Sequence, residues 1–326
     1  MKNVLKLNKF LFLLTFSFFI ISCDNDDDDT QTIPEELTIV ETAAATPELS
    51  ILVEALTVAD GDLVTTLSGG NFTVLAPTND AFAAFLSANG FASLDEVPTD
   101  VLSNILLNHV ITGSVMSTDL ASAGSGYTTT NATNMDGDNL SLYFSTSSGV
   151  EFNGQSSVVS ADVSASNGIV HVVDAVIGLP TVVTFATSNP TFETLVAALT
   201  REDLNQDFVS ILSTTEEPSP FTVFAPTNDA FASLLSELGV DSLGDIDAAT
   251  LELTLGTHVV VEANVRSGDL TNGMNITTVG DALTVSLDAG PQLIDLNDRI
   301  ANIIAVDVQA YNGVVHVIDK VVLPQL

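Results

Sequence analysis

The sequence predicts an α+β protein built from two homologous units in tandem, and three observations carry that prediction. The first is an internal repeat: Phe72-Thr-Val-Leu-Ala-Pro-Thr-Asn-Asp-Ala-Phe82 returns as Phe221-Thr-Val-Phe-Ala-Pro-Thr-Asn-Asp-Ala-Phe231, changed only at Leu75 against Phe224 and displaced by 149 positions. His109-Val110 returns as His258-Val259 at the same displacement. Asn167-Gly-Ile-Val-His-Val-Val-Asp174 returns as Asn312-Gly-Val-Val-His-Val-Ile-Asp319 at 145, so the second unit has four fewer residues in its hairpin region. The second observation is length, because 326 residues suit about two domains of roughly 100–200 residues each. The third is the order of periodicities: in each unit helical spacing comes first and strand patterning later, which is an α+β arrangement.

The chain opens on Lys2, Lys6 and Lys9, followed by a twelve-residue apolar stretch, Phe10 to Ile21, interrupted only by Thr15 and Ser17. That length fits a secretory signal and falls short of the roughly 20 residues of a spanning helix. The stretch ends Ile20-Ile21-Ser22-Cys23, which resembles a bacterial lipobox. The resemblance implies a lipoprotein signal peptide over residues 1–22, with Cys23 diacylated and left as the first residue after cleavage. Cys23 is the only cysteine, so no disulfide can form within the chain. Residues 23–36 read as an acidic tether, because Asp24 and Asp26 to Asp29 repel one another too strongly to pack. An acidic run directly after the cysteine resembles the surface-export signals of some double-membraned bacteria. The expected location is therefore the outer face of the outer membrane, with the lipid as the only membrane contact.

Beyond the tether, the first unit is read as residues 37–180 and the second as 181–326, with the boundary where Gly178-Leu-Pro180 ends one pattern. Leu49, Leu52, Val53 and Leu56 fall at helical spacing, as do Phe192, Leu195, Val196 and Leu199. Phe72 to Leu75 is a strand that Ala76-Pro77 stops. Thr78 or Asn79 then caps a helix with Phe82, Phe85 and Leu86 inward. Pro98-Thr99-Asp100 starts a further helix whose inward residues are Val101, Leu102, Ile105 and Leu106. Alternating and β-branched runs follow, with turns at Asp136-Gly137 and Asn153-Gly154, and Ile169 to Val173 closes the unit as a strand.

The Thr-Val-(Leu/Phe)-Ala-Pro-Thr-Asn-Asp-Ala-Phe block, the mid-unit His-Val and the closing Asn-Gly-(Ile/Val)-Val-His-Val-(Val/Ile)-Asp occur in that order, twice. Together they resemble the fasciclin domain, and the resemblance covers nearly everything from residue 37 onward. It implies two tandem fasciclin domains, each a wedge-shaped β-sandwich with helices packed alongside, and roles in cell adhesion and matrix contact. Membership of such a family does not fix a ligand. In one respect the chain departs from the pattern. A Tyr-His pair at the mid-domain position is associated with integrin binding in animal members, and here Asn108 and Thr257 precede the histidines. That activity is not carried over.

Charge narrows the function. Seven Lys+Arg stand against 42 Asp+Glu, and loss of the signal removes three of the lysines, leaving 4 − 42 = −38. Such a surface repels phosphate backbones, which excludes nucleic acid as a partner. Thr78, Asn79, Asp80, Thr227, Asn228 and Asp229 read as polar groups around helix starts. His109, and by repetition His258, read as core residues at the end of an apolar helix face, and His171 and His316 lie amid Val/Ile strands. His171 and Asp174, like His316 and Asp319, are three apart on a strand, so their side chains point to opposite faces and cannot pair. Zinc needs three or four converging ligands, and no cysteine is available in the body of the chain. Phosphate loops, nucleophile elbows and zinc-protease motifs are missing from the sequence. Asp203-Leu-Asn205-Gln-Asp207 starts like a calcium loop but lacks the glycine and the late glutamate. No catalytic residue, metal site or cofactor is expected, with Ca²⁺ gathered loosely by surface acids as the one open option. The expected function is binding of an unknown surface protein or polysaccharide. The alternatives are capture of glycans or other ligands and a structural envelope spacer.

Overall fold

The repeated Thr-Val block becomes a strand buried on both faces, which is why it is apolar without alternation. In the computed structural model, which describes residues 36–325, this strand is β1 (Phe72–Pro77) of the first unit. Helices Ile39–Ala44, Ser50–Val58 and Leu63–Gly69 precede it, and Asn79–Ala88 and Thr99–Leu107 follow. Next come β2 (Val110–Thr112), helix Ser117–Ala123, β3 (Ser125–Thr133), β4 (Asn139–Ser145), β5 (Glu151–Phe152), β6 (Ser156–Ala165) and β7 (Gly168–Val173). Strands pair in sequence order, and β7 returns parallel to β1, so the seven close into a barrel.

In the second unit, helices Val182–Ser188, Glu193–Leu199 and Phe208–Ser213 lead into β8 (Phe221–Pro226), with Asn228–Leu238 and Ala248–Thr257 after it. The strands β9 (Val259–Val260), β10 (Asn275–Ile276), β11 (Leu283–Ser286), β12 (Gln292–Ile294), β13 (Ile300–Ala310) and β14 (Gly313–Ile318) complete it. Again the last strand is parallel to the first, β14 to β8. The sheet order β10-β11-β12-β13-β14-β8-β9 stays open, however. In the first unit Ile111 of β2 pairs with Thr130 of β3. In the second the corresponding strands are two residues each, and a single 3-10 turn, Ser267–Asp269, replaces helix Ser117–Ala123.

One sheet separates two apolar layers in each unit. Val74 and Ala76 face the helices with Leu52, Phe82 and Leu102, while Leu75 faces Ile111, Leu142 and Phe152 inside the barrel. Val223 and Ala225 repeat the first arrangement and Phe224 the second. The period of two along β1 and β8 assigns successive side chains to the two layers.

Three sequence expectations need correction here. Ala76-Pro77, read as the stop of the first strand, lies within it, Ala76 paired with Val172 and Pro77 with Val173 of the parallel neighbour, where a proline at the strand's last position is tolerated. Val101 is 37% exposed, whereas Leu102, Ile105 and Leu106 are buried; its position one residue before Leu102 turns it off the apolar face of the helix. A helix also precedes the one expected to open the unit: Ile39–Ala44, started by a capping box of Thr38 and Glu41.

The units pack directly on each other. Tyr127 of β3 lies edge-on to Phe185 of the second unit, ring centroids 5.6 Å apart, and Tyr143 of β4 joins the second unit's core. Around these rings Asn189 donates to the Tyr127 hydroxyl (3.1 Å), the Gln309 backbone N–H donates to Ser141 Oγ (3.0 Å), and Arg266 pairs with Asp138 (2.9 Å).

Candidate functional site

The residues singled out by the repeat fall in three places within each unit: the return of the last strand, the start of the helix after the first strand, and the two histidines.

At the strand return, Gly168 has φ +148°, and a Cβ there would lie 1.9 Å from the Phe72 carbonyl oxygen of the parallel neighbour. Gly313 repeats this at φ +151° and 2.1 Å from the Phe221 oxygen. Only glycine admits that approach. The preceding asparagines tie the turn to the helical layer. Asn167 accepts from the Ile39 N–H (2.8 Å) and donates to the Leu67 and Gly70 carbonyls; Asn312 accepts from the Val182 N–H (2.9 Å) and donates to the Leu212 and Thr214 carbonyls. These two asparagines were not among the sequence-selected residues, although the repeat includes them.

At the helix start, Thr78 and Thr227 are the N-caps, accepting from the Ala81 and Ala230 N–H groups at 3.2 Å. Asn79 and Asn228 do not cap their own helices. Asn79 reaches back to the earlier helix, accepting from the Ile51 N–H (2.9 Å) and donating to the Pro47 carbonyl (3.0 Å). Asn228 does the same with the Thr194 N–H and the Pro190 carbonyl, each at 2.9 Å. The correction has a simple cause: the threonine, one residue earlier, already occupies the extended cap position. Asp80 and Asp229 stay exposed in the first turn, where the helix dipole favours a negative charge.

All four histidines are buried and hydrogen-bonded through both ring nitrogens. His109 lies just beyond the end of helix Thr99–Leu107; its Nε2 accepts from the Ile177 N–H (2.9 Å), so Nδ1 carries the proton and donates to the Ile105 carbonyl (2.8 Å). His258 uses the Val322 N–H and the Thr254 carbonyl in the same way. His171 takes the opposite tautomer: Nδ1 accepts from the Asp162 N–H (3.1 Å) and Nε2 donates to the Val115 carbonyl (2.9 Å). His316 repeats that with Asp307 and Val265. Burial pushes His109 and His258 down to about 4, and it lowers His316 as well. Desolvation penalises the charged imidazolium, so these rings stay neutral.

His171 does not meet Asp174, nor His316 Asp319. Asp174 accepts from the Ser157 N–H (2.7 Å) and Asp319 from the Asn302 N–H (2.8 Å), beyond the strand ends. The carboxylates that do lie beside these histidines are Asp162 and Asp307, both at positive φ in bulges of β6 and β13. Each accepts from the backbone N–H and the hydroxyl of a serine, Ser117 and Ser267 respectively. The Ser117 hydroxyl holds the Asp162 carboxyl below the usual carboxylate range. Ser, Asp and His are thus adjacent, but in an order that cannot activate a nucleophile: each serine bonds the carboxylate, and the His171 Nδ1 is filled by a backbone N–H. The sequence carries a signal for both aspartates, since each precedes its histidine by nine positions.

Asn108 and Thr257, the residues before the mid-unit histidines, are fully buried. Asn108 donates to the Ile177 and Gly178 carbonyls of the interdomain connection. The position therefore faces inward and holds the chain leaving the first unit.

Charge is divided unevenly. Between residues 37 and 180 there is no lysine or arginine. The second unit's Arg201, Arg266, Arg299 and Lys320 are each paired with carboxylates. Among the described residues no group of three or more His, Cys, Asp or Glu is placed to hold a metal ion, and no helix is long and apolar enough to cross a membrane. Cys23 and the acidic run lie outside the described residues.

Comparison with known proteins places this geometry. The fasciclin domain model matches residues 47–180 and 190–324. The Synechocystis protein sll1483 is 39% identical over 146 residues, 45% of this chain and 74% of that protein. Transforming growth factor-beta-induced protein ig-h3 of Sus scrofa is 29% identical over 259 residues, 78% of this chain but only 35% of the relative, so the chain spans about a third of its length. Cell surface glycolipoprotein MPB83 of Mycobacterium bovis is 46% identical over 80 residues, 23% of this chain and 34% of that protein. Among solved structures, a FAS1 domain pair from the insect cell adhesion molecule fasciclin I matches with TM-score 0.50 and 20% identity, covering 85% of this chain and 97% of that one. This last likeness is one of fold.

Proposed function

The chain belongs to the fasciclin domain family, with two such domains in tandem, and from that premise we propose that it is a lipid-anchored adhesion protein of the outer cell surface. Cys23 carries the lipid, residues 23–36 form the tether, and the domain pair contacts a surface protein or polysaccharide of another cell or of the matrix. The observation that carries this reading is the engagement of the family-motif residues. Thr78, Asn79, His109, Asn167 and His171 are all bound to backbone groups of their own domain. The motif builds the scaffold, and recognition is left to the surface. Two domains on one tether offer two weak contacts whose avidity exceeds either alone. The same engagement leaves no free nucleophile and base together at the motif positions, which supports a binding protein over an enzyme.

The test has two parts. Intact cells are treated with a protease too large to cross the outer membrane, and both domains are followed by immunoblot beside a periplasmic control. Loss of both domains with survival of the control is the expected result. Survival of both domains on intact cells, with cleavage after lysis and unfolding, would place the protein in the periplasm and favour an envelope spacer. Attachment and biofilm of a deletion strain are then measured, and unchanged attachment sinks the adhesion reading. Cys23→Ser is expected to release the protein from the membrane fraction.

A further inference from the structure

Where the first domain meets the connection and the second, the structure leaves a cleft of about 550 Å³. Its walls include Leu63, Val101 and Leu107 of the first domain, Leu179 of the connection and Tyr311 of the second, with Met135 at the mouth, 75% exposed. The size lies within the usual range for a binding cleft, and junctions between domains are a common place for one.

The polar groups of this cleft decide what fits. The amides and the Ser103 hydroxyl are already engaged, which leaves the Thr133 and Tyr311 hydroxyls as the open neutral groups. Asn104 donates to the Thr133 carbonyl and accepts from its N–H; Asn134 donates to Gln309 and accepts from the Asp136 and Asp138 N–H groups; the Ser103 hydroxyl donates to the Asp60 and Thr99 carbonyls. The Asp100 carboxylate has no hydrogen-bond partner among the described residues, and the Asp60 carboxylate accepts one hydrogen bond, from Thr99 (2.8 Å). Both are exposed. Ionised carboxylates accept and never donate, so the cleft offers acceptors for a donor-only group. No lysine or arginine of the first domain competes for them. A neutral sugar needs many interleaved donors and acceptors, and with the amides engaged the two hydroxyls alone supply few beside two carboxylates. A lysine or arginine side chain needs an apolar wall for its stem and carboxylates at its head, and a guanidinium also stacks on an aromatic face such as Tyr311.

We infer that this interdomain cleft docks a basic segment of a partner protein, with Asp60 and Asp100 receiving the cationic heads and the apolar wall their stems. The inference rests on the adhesion reading and names the chemistry of its partner. It also gives the domain packing a purpose, since Tyr311 reaches the cleft only when the second domain is docked on the first.

The test is fluorescence anisotropy of a labelled peptide of alternating lysine and leucine, titrated with the chain at low and at moderate salt. The expected result is binding that Asp60→Asn with Asp100→Asn weakens about tenfold, from two partly exposed ion pairs. The charge-matched pair Glu193→Gln with Glu216→Gln, away from the cleft, is expected to change it by less than about twofold. Asp100→Asn alone, at a carboxylate with no hydrogen bond of its own, guards against a folding defect and should give about half the effect in logarithmic terms. Equal losses in the cleft and control variants would reduce the peptide to a general counter-ion and overturn the inference. Binding of Ca²⁺ or of a neutral oligosaccharide that depends on the cleft residues, without peptide binding, would overturn it too. The adhesion reading is separable: cells carrying the cleft variant that still attach as well as wild type would end the inference and leave that reading standing.

Discussion

Acid should destabilise this protein through its buried histidines. His109 and His258 are held neutral by burial, with pKa values of about 4 against an unfolded value near 6.5. For a base whose folded pKa is depressed, the unfolded chain binds the proton first. The contribution is full above pH 6.5 and is lost progressively as pH falls toward 4. At pH 5 the unfolded histidine is about 1.5 units below its pKa while the folded one is still neutral. At about 1.4 kcal/mol per unit this is roughly 2 kcal/mol for each ring, or about 4 kcal/mol for the two. His316 shifts in the same direction and adds to the loss. The lowered carboxyls, Asp162 and Glu237 among them, act in a more acidic window, below their unfolded values near 4. The assay is urea unfolding at pH 7 and pH 5 in high salt, which screens the protein's large negative charge. The histidine Cε1 protons are followed by NMR through the same range. A midpoint unchanged between the two pH values, or imidazoles of His109 and His258 that titrate near 6.5, would refute the reasoning.

Further outcomes follow from the packing. Gly168→Ala places a methyl 1.9 Å from the Phe72 oxygen at φ +148°, and should cost more than about 4 kcal/mol, seen as insoluble protein or a collapsed melting temperature. Asn312→Ala leaves the Val182 N–H and the Leu212 and Thr214 carbonyls without their partner, so a loss of about 3 kcal/mol is expected in denaturant titration. Thr227→Ala removes one N-cap bond and should cost only about 1 kcal/mol by the same measurement. Phe185→Ala empties the contact with Tyr127 between the domains and is expected to cost about 3 kcal/mol. Faster proteolysis of the interdomain connection would report the loosened packing directly.

Much of the fold was legible because the chain states it twice. The strand read over Phe72–Leu75, its threonine cap and the closing strand read over Ile169–Val173 could be placed from local chemistry, a β-branched run, a turn glycine and an N-cap residue, although the first runs on through Pro77 and the second starts at Gly168. Other features were not legible. Helix Ile39–Ala44 is too short for its periodicity to stand out, and Val101 lies one position outside an apolar face that only packing defines. Asn79 looked like a cap because caps are local, whereas its actual partners at Pro47 and Ile51 come from an earlier helix. Asp162 and Asp307 escaped because their bulges are properties of a paired sheet.

The sequence by itself determined that there are two homologous α+β units of the fasciclin family, and that the first carries no basic side chain. Those conclusions depend only on residue identity and on spacing along the chain. Tertiary structure decided the rest. It closed the first sheet into a barrel and left the second open, because strand length and a helix in one connection set whether the edges meet. It fixed the tautomer of each histidine through backbone partners remote in sequence. And it set Tyr311 beside Asp60 and Asp100 in one cleft, an adjacency that no local pattern encodes, since it exists only once two independently patterned domains have packed.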